Sequence, residues 1–194
     1  MNLLHTPANS ENPAMSQAFV NESEIGEGTD LPELQLSEHP NYVTPHGLTQ
    51  LRERLDQTRR RLAAIDPSAE GSVLEMGRAE REQRWLQSRV MSAIPVTAPA
   101  ATDRVGFGAT VDLVDEHDTP YRYRIVGEDE ADPERGLVSW VSPLARALDG
   151  SRVGDSVTWK RPAGDVEVEV LAFEYPQGFP NRHIRAVPRR KVSD

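Results

Sequence analysis

The apolar residues between positions 44 and 65 repeat with a helical period. Six residues that would lie along one side of a helix recur at spacings of 3, 4, 3, 4 and 3, and we call this row the seam. They are Leu48, Leu51, Leu55, Thr58, Leu62 and Ile65. This spacing is typical of a coiled-coil a/d seam with one polar interruption. Thr44-Pro45 supplies an N-cap and a proline at the first helical position, and Asp66-Pro67 ends the helix because proline cannot continue the hydrogen-bond ladder. The pattern predicts one helix of about 20 residues.

A second, less regular seam follows a short break at Gly71. It predicts a helix from Ser72 or Val73 to Ala93, which Pro95 ends. Its seam residues are Met76, Ala79, Gln83, Leu86, Val90 and Ala93. Two helices with facing seams and a short loop form an antiparallel coiled-coil hairpin. We assign the hairpin to residues 42–96 and a linker to residues 97–103.

From about residue 104 the apolar pattern changes to a period of two, which indicates β-strands with one buried face. The alternating positions are Phe107, Ala109, Val111 and Leu113, then Tyr121, Tyr123 and Ile125, and later Val166, Val168 and Val170. Ser142-Pro143 begins a short helix and Gly150 closes it. Residues 104–176 are therefore predicted to form a small antiparallel β domain with one short helix. The whole chain is predicted to be α+β.

The two ends of the chain carry opposite charge. Residues 1–43 contain seven acidic residues and no lysine or arginine, whereas residues 176–194 contain five basic residues and one acidic residue. Low hydrophobicity with charge of one sign predicts a disordered acidic tail over residues 1–41 and a flexible basic tail over residues 177–194. Either tail could be an interaction arm or simply a solvated end.

Composition narrows the function classes. The net charge is −9 and there is no cysteine, so disulfides and thiolate metal sites are excluded. No apolar run approaches the roughly 18 residues that a membrane helix needs, and the N-terminus lacks the basic region of a secretion signal. A cytoplasmic protein is expected. The acidic central part argues against autonomous binding to duplex DNA, which needs several cations against the phosphates.

The most distinctive motifs lie in the predicted β domain. They are, in chain order, FGATV at 107–111, IVGEDEAD at 125–132, VSWVSPLARAL at 138–148 and VGD at 153–155. In this order they resemble the C-terminal domain of the bacterial transcript-cleavage factors GreA and GreB. The match covers about Val105 to Tyr175. The resemblance implies an FKBP-like fold without implying prolyl isomerase activity, and it implies bacterial RNA polymerase as the partner.

In the GreA/GreB family this domain docks at the rim of the polymerase secondary channel, through the acidic loop and the Ser-Pro helix start. The matching polymerase-binding candidates in this chain are Asp129, Glu130, Asp132, Pro133, Ser142 and Pro143. A rigid loop that presents carboxylates to a basic partner supplies orientation and a faster on-rate. The alternative is that the loop acids are solvated and that Ser142 only caps a helix.

The hairpin resembles the family less closely. Thr44-Pro45-His46-Gly47-Leu48 resembles the opening of the family's hairpin, which enters the secondary channel. The family's tip, GDLSENAEY, offers an Asp and a Glu to the second Mg²⁺ of the polymerase. In this chain the tip lacks that motif, and its acids are Asp66 and Glu70. The first arm spans about 30 Å, which is shorter than the family's arms.

Two interpretations of the tip acids stay open. They could be a reduced version of the family's acidic pair. Alternatively, Asp66 starts a turn and Glu70 is favoured in the first helical turn by the helix dipole. A short hairpin without the acidic tip resembles the family branch called regulator of nucleoside diphosphate kinase.

We therefore expect a non-enzymatic, monomeric elongation regulator with no cofactor and no metal site of its own. It would bind RNA polymerase without supplying the catalytic tip and would contact nucleic acid only indirectly, within the elongation complex. One alternative is an active cleavage-stimulating factor that uses Asp66 and Glu70. Another is an adaptor that binds a protein other than RNA polymerase.

Overall fold

The structure is a computed structural model that describes residues 31–97, 99 and 102–176 of the 194-residue chain. In chain order its elements are β1 (Tyr42–Val43), α1 (Pro45–Ala64), α2 (Ser72–Ser92), β2 (Ile94–Pro95), β3 (Thr110–Asp115), β4 (Pro120–Val126), β5 (Leu137–Ser139), α3 (Pro143–Leu148), β6 (Ser156–Trp159) and β7 (Val166–Glu174). The predicted α+β class is confirmed. None of the helices in these ranges is long and apolar enough to cross a membrane.

The ends of the two long helices follow from local chemistry. The Thr44 side chain accepts a hydrogen bond from Gly47 N at 3.0 Å and caps α1. At the tip Gly71 has a φ of +77°, which glycine adopts without strain. The Ser72 hydroxyl donates to the Pro67 carbonyl at 2.9 Å across the same turn. The chain is thereby reversed, and α2 returns along α1.

The predicted seams meet in the middle and at the base of the hairpin. Leu51, Leu55 and Thr58 of α1 are buried, and so are Ala79 and Leu86 of α2. Towards the tip the last two seam residues of α1 are only half-buried. The hairpin core is therefore firmest next to the rest of the protein. At this base β1 and β2 form a parallel pair that joins the start of α1 to the end of α2.

The second half of the described chain is a five-stranded sheet with the strand order β5-β4-β3-β7-β6. Three of its four strand pairs are antiparallel, but β4 and β5 are parallel, with Arg124 opposite Leu137. The sheet that was predicted to be antiparallel is therefore mixed, because this one pair is parallel. The reason is the long loop after β4, which carries the chain back alongside that strand instead of reversing it in a tight turn.

The core of this domain lies between the sheet and α3. Its members are the inward-facing strand residues together with one side of α3. The buried members are Val105, Ala109, Val111, Leu113, Ile125, Val138, Leu144, Ala145, Leu148, Val168 and Val170. Most of the residues predicted from the period-two pattern lie in this set. The period therefore identified the correct face of each long strand.

Residues before position 41 already contact the rest of the protein. Residues 31–40 form no helix or strand and are mostly exposed, but they make defined contacts along α2 and the sheet domain. We call them the N-terminal strap. The predicted tail over residues 1–41 thus overlaps a segment that makes defined contacts. The predictions for residues 1–30 and 177–194 lie outside the described residues.

Replacing Leu86 with alanine tests whether the α2 seam stabilises the hairpin. Leu86 is 0% exposed, so Leu86→Ala leaves a cavity and is expected to lower the free energy of unfolding by about 2–5 kcal/mol. Met91→Ala is the control, because Met91 is 87% exposed on the same helix. Urea denaturation followed by circular dichroism measures both. An equal, small effect of the two variants would contradict this packing.

Candidate functional site

The acidic loop between β4 and β5 consists of two short 3₁₀ turns, Glu128–Glu130 and Pro133–Arg135. The first turn lies beside β1 and the start of the helical hairpin. The second turn leads into β5 and ends at Gly136, whose φ is +74°. The loop therefore has one part against the hairpin and one part away from it.

Glu130 points inward and is only 7% exposed. Its carboxylate accepts hydrogen bonds from Thr44 N at 2.8 Å and from Gly127 N at 3.3 Å, and a third from the Thr44 hydroxyl. Burial lowers the pKa of the Arg124 guanidinium, and the charge of Glu130 opposes that shift. Glu130 is thus a buried acceptor that is satisfied largely by the residue preceding α1.

Two glycines make room for this carboxylate. A Cβ atom on Gly47 would lie 2.1 Å from the Glu130 Cδ, which is far inside van der Waals contact. A Cβ atom on Gly127 would lie 2.5 Å from the Tyr42 carbonyl oxygen. Glycine at these two positions lets the loop and the start of α1 approach each other directly.

Asp129 also points inward. It accepts a hydrogen bond from Arg89 Nε at 2.7 Å, and the side chains of Arg89 and Asp129 are only 4% and 11% exposed. Glu128 lies 3.9 Å from the same guanidinium, and the Arg89 carbonyl accepts a hydrogen bond from Asn41 at 2.7 Å. This ion pair joins the last turn of α2 to the acidic loop.

The second half of the loop faces solvent. The Asp132 side chain is 38% exposed and lies 3.9 Å from Arg135, and Pro133 is exposed. Of the loop residues predicted to face a partner, Asp132 and Pro133 therefore have the expected orientation. Asp129 and Glu130 instead contact the chain's own hairpin. The acidic run therefore has an inner part, with Asp129 and Glu130 against the hairpin, and an outer part, with Asp132 towards solvent.

Ser142 and Pro143 begin α3 as predicted. The Ser142 hydroxyl accepts a hydrogen bond from Ala145 N at 3.2 Å, so the serine is a helix cap. Pro143 is exposed at the first helical position. Nearby, Trp140 packs edge-on against Tyr42 with the ring centroids 5.0 Å apart. The surface around α3 therefore also adjoins the base of the hairpin.

The tip acids lie at the far end of the hairpin from the loop. The Asp66 carboxylate accepts hydrogen bonds from the Ser68 hydroxyl at 2.7 Å and from Ser68 N at 2.9 Å, and these lower its pKa. Glu70 is exposed on the same turn. Within the described ranges, no group of three or more acidic or histidine side chains is arranged to hold a metal ion. The geometry of Asp66 is that of a turn-forming residue.

The N-terminal strap follows α2 in the direction of the base. Arg84 donates to the Glu33 carboxylate at 2.7 and 2.9 Å, and the Trp85 indole donates to the Gln35 carbonyl at 3.2 Å. Further along, the Ser37 hydroxyl donates to Glu128 at 2.9 Å. His39 then packs edge-on against Trp140, with the ring centroids 6.0 Å apart. The strap therefore touches the hairpin, the acidic loop and the start of α3.

Sequence reasoning missed three parts of this arrangement. Thr44 and Gly47 were identified only as part of the start of the hairpin, and their contact with Glu130 was not predicted. Nothing in the local sequence marks Arg89, because its partner is 40 residues away. The strap contacts were missed because backbone carbonyls, which every sequence has, make two of them.

Comparison with known proteins gives a consistent result. Residues 100–175 match the family model described as the C-terminal domain of transcription elongation factor GreA/GreB. Transcription elongation factor GreB of Neisseria meningitidis serogroup B is 36% identical over 157 residues, covering 72% of this chain and 96% of the relative. GreA of Alkalilimnicola ehrlichii is 40% identical over 152 residues, covering 69% and 96%. The crystal structure of GreA factor homolog 1 (Gfh1) of Thermus thermophilus is 23% identical, covers 70% of this chain and 99% of that chain, and superposes with a TM-score of 0.35.

The chain joins a helical hairpin to a small sheet domain through an acidic loop. Its sequence aligns with GreA and GreB relatives over nearly their full length. This chain belongs to the GreA/GreB family. The resemblance that the motifs indicated is confirmed. Membership of the short-hairpin branch stays a prediction.

Removing one carboxylate at a time tests the division of the loop. Asp129→Asn leaves the buried Arg89 guanidinium without its closest partner and is expected to cost about 3 kcal/mol of unfolding free energy. Asp132→Asn removes the same charge from an exposed position and is expected to change stability by less than about 0.5 kcal/mol. Chemical denaturation of both variants measures the difference. Equal costs would show that the inner and outer acids are not distinct.

Proposed function

We propose that this protein is a transcription elongation regulator that binds bacterial RNA polymerase at its secondary channel without supplying ligands for the catalytic Mg²⁺. The polymerase performs all the chemistry, so the protein itself is not an enzyme. The GreA and GreB relatives are named transcription elongation factors, which supports the functional class. A polymerase partner also implies a cytoplasmic location.

The observation that carries this proposal is the hairpin tip. Asp66 uses its carboxylate to hold the tip turn through Ser68. A ligand for Mg²⁺ must meet near-octahedral geometry with little positional error. An arm of 20 residues also reaches only about 30 Å from its base.

A shortened hairpin would account for the difference in length within the aligned region. The alignment with the Neisseria GreB extends over 157 positions, whereas 72% of this 194-residue chain is about 140 residues. This chain therefore lacks about 17 of the aligned positions. If these were divided between two helical arms, each arm would be shorter by about 13 Å at 1.5 Å per residue.

The outward half of the acidic loop and the start of α3 are the proposed docking surface. Asp132, Pro133 and Pro143 are accessible there, and the Ser142 hydroxyl caps the start of α3. Carboxylates on a short, well-anchored loop favour a partner surface with arginine or lysine. Asp129 and Glu130 contribute indirectly, because their carboxylates hold the loop against the hairpin.

The second candidate is an active cleavage-stimulating factor. It is favoured by the exposure of both Asp66 and Glu70 at the very end of the hairpin. In this mechanism their carboxylates would help to hold a metal ion that activates the attacking water. The ion would have to outcompete the Ser68 hydrogen bonds to Asp66.

Both candidates are tested with purified RNA polymerase halted in a backtracked complex that carries an end-labelled transcript. We expect the protein to bind this complex and to displace a GreB-type factor from it, without shortening the transcript. Its length is measured by gel electrophoresis and binding by fluorescence anisotropy. Absence of binding would refute polymerase as the partner.

The tip variants decide between regulator and cleavage factor. Asp66→Ala and Glu70→Ala are expected to change polymerase affinity by less than about twofold, because exposed carboxylates contribute little outside an interface. Transcript shortening that disappears in either variant would replace the regulator proposal with the second candidate. Asp132→Ala is the positive control for docking and is expected to weaken binding.

A further inference from the structure

We propose that Glu130, together with the Arg89–Asp129 ion pair, forms an orientation lock that fixes the direction of the helical hairpin relative to the sheet domain. Glu130 is then a positioning residue. The consequence for polymerase rests on the proposed function, but the lock itself is a property of the isolated protein.

The covalent connection does not fix this direction. Between β2 and β3, the described residues 96–97, 99 and 102–109 form no helix or strand, and the sequence here is rich in alanine and proline. A linker of this kind allows the two parts of a protein to reorient, and such motion is the normal expectation across a modest interface. A fixed direction therefore requires specific contacts.

Glu130 supplies a contact that is satisfied only in one arrangement. Thr44, immediately before α1, donates two hydrogen bonds to Glu130, and Gly127 of the same loop donates another. Without the Thr44 donors, this buried carboxylate would lose part of the hydrogen bonding that offsets its desolvation. Gly47 lies so close to the Glu130 side chain that the start of α1 has no room to shift along the acidic loop.

The ion pair supplies a second, separate contact. Thr44 precedes α1, whereas Arg89 lies in the last turn of α2, so the acidic loop is attached to both helices. A single contact would allow the hairpin to rotate about it, whereas contacts to both helices fix the direction of the hairpin axis. The β1–β2 pair joins the two helix ends, with Ile94 N donating to the Asn41 carbonyl at 2.8 Å, so the hairpin responds as one body.

The length of the hairpin amplifies any error at this junction. With an arm of about 30 Å, a change of about 10° at the base moves the tip by about 5 Å. A displacement of that size separates a hairpin that enters a narrow channel from one that meets its wall. Asp129 and Glu130 therefore determine the position of the hairpin tip, whereas Asp132 contributes to the docking of the sheet domain.

The experiment measures the direction of the hairpin without any partner. The chain contains no cysteine, so Ala69→Cys at the tip and Thr158→Cys on β6 introduce a unique pair of spin labels at exposed positions. Pulsed electron paramagnetic resonance then gives the distribution of distances between the two labels. The parent protein is expected to show one narrow distribution.

Two independent variants are predicted to release the lock. Glu130→Ala removes the acceptor, and Gly47→Ala inserts a methyl group where the Glu130 side chain lies. Each is expected to widen the distance distribution by at least about twofold, as a population of alternative orientations appears. Circular dichroism confirms that the helices remain folded. Glu130→Gln, which keeps an acceptor of the same size, is expected to restore most of the narrow distribution.

Asp132→Ala is the matched control, since it removes a carboxylate from the exposed half of the same loop. It is expected to leave the distribution unchanged while weakening polymerase binding. If Glu130→Ala and Gly47→Ala both retain the narrow parental distribution, the orientation lock is refuted. If the distributions behave as expected but no variant and not even the parent binds polymerase, the proposed function fails and the lock stands.

Discussion

The Glu130 carboxylate lies where the helical hairpin meets the sheet domain, and it has exchanged water for hydrogen bonds from Thr44 and Gly127. Because an unsatisfied buried charge is costly, the segments that supply these donors must stay together. The short β1 strand, the glycine at position 47 and the capped start of α1 all fit this requirement. The same threonine hydroxyl donates to Glu130 and accepts from Gly47 N, so helix initiation and domain attachment are one local arrangement.

The acidic loop shows that neighbouring residues of one chemical type can have separate roles. Asp129 and Glu130 are used inside the molecule, whereas Asp132 remains at the surface with only a distant arginine. A charge pattern reports composition, but burial decides what each charge does, since water screens an exposed carboxylate and stabilises it without any partner. Within this family, a motif matched by sequence therefore identifies the loop without identifying which of its acids a partner could reach.

Helices and strands were predictable wherever the spacing of apolar residues stayed regular over several helical turns or along a whole strand. The seam through Leu51 and Leu55 and the alternation through Val111 and Leu113 identified the helices, the long strands and most of the buried residues. Long-range pairing was not predictable. Neither the Arg89–Asp129 ion pair nor the parallel β4–β5 pair has a local signal, because each depends on how distant segments meet. The strap was assigned to disorder for a related reason, since polar contacts rather than apolar burial hold it.

The parallel pairing of β4 and β5 also determines the length of the loop that joins them. Residues 127–136 must carry the chain back along β4 so that Leu137 lies opposite Arg124. Deleting a single residue would shift β5 by one position and turn Val138 from the core face to the opposite face. Substitution of the outward side chains leaves this register unchanged, whereas a change in loop length that the two turns do not absorb would shift it.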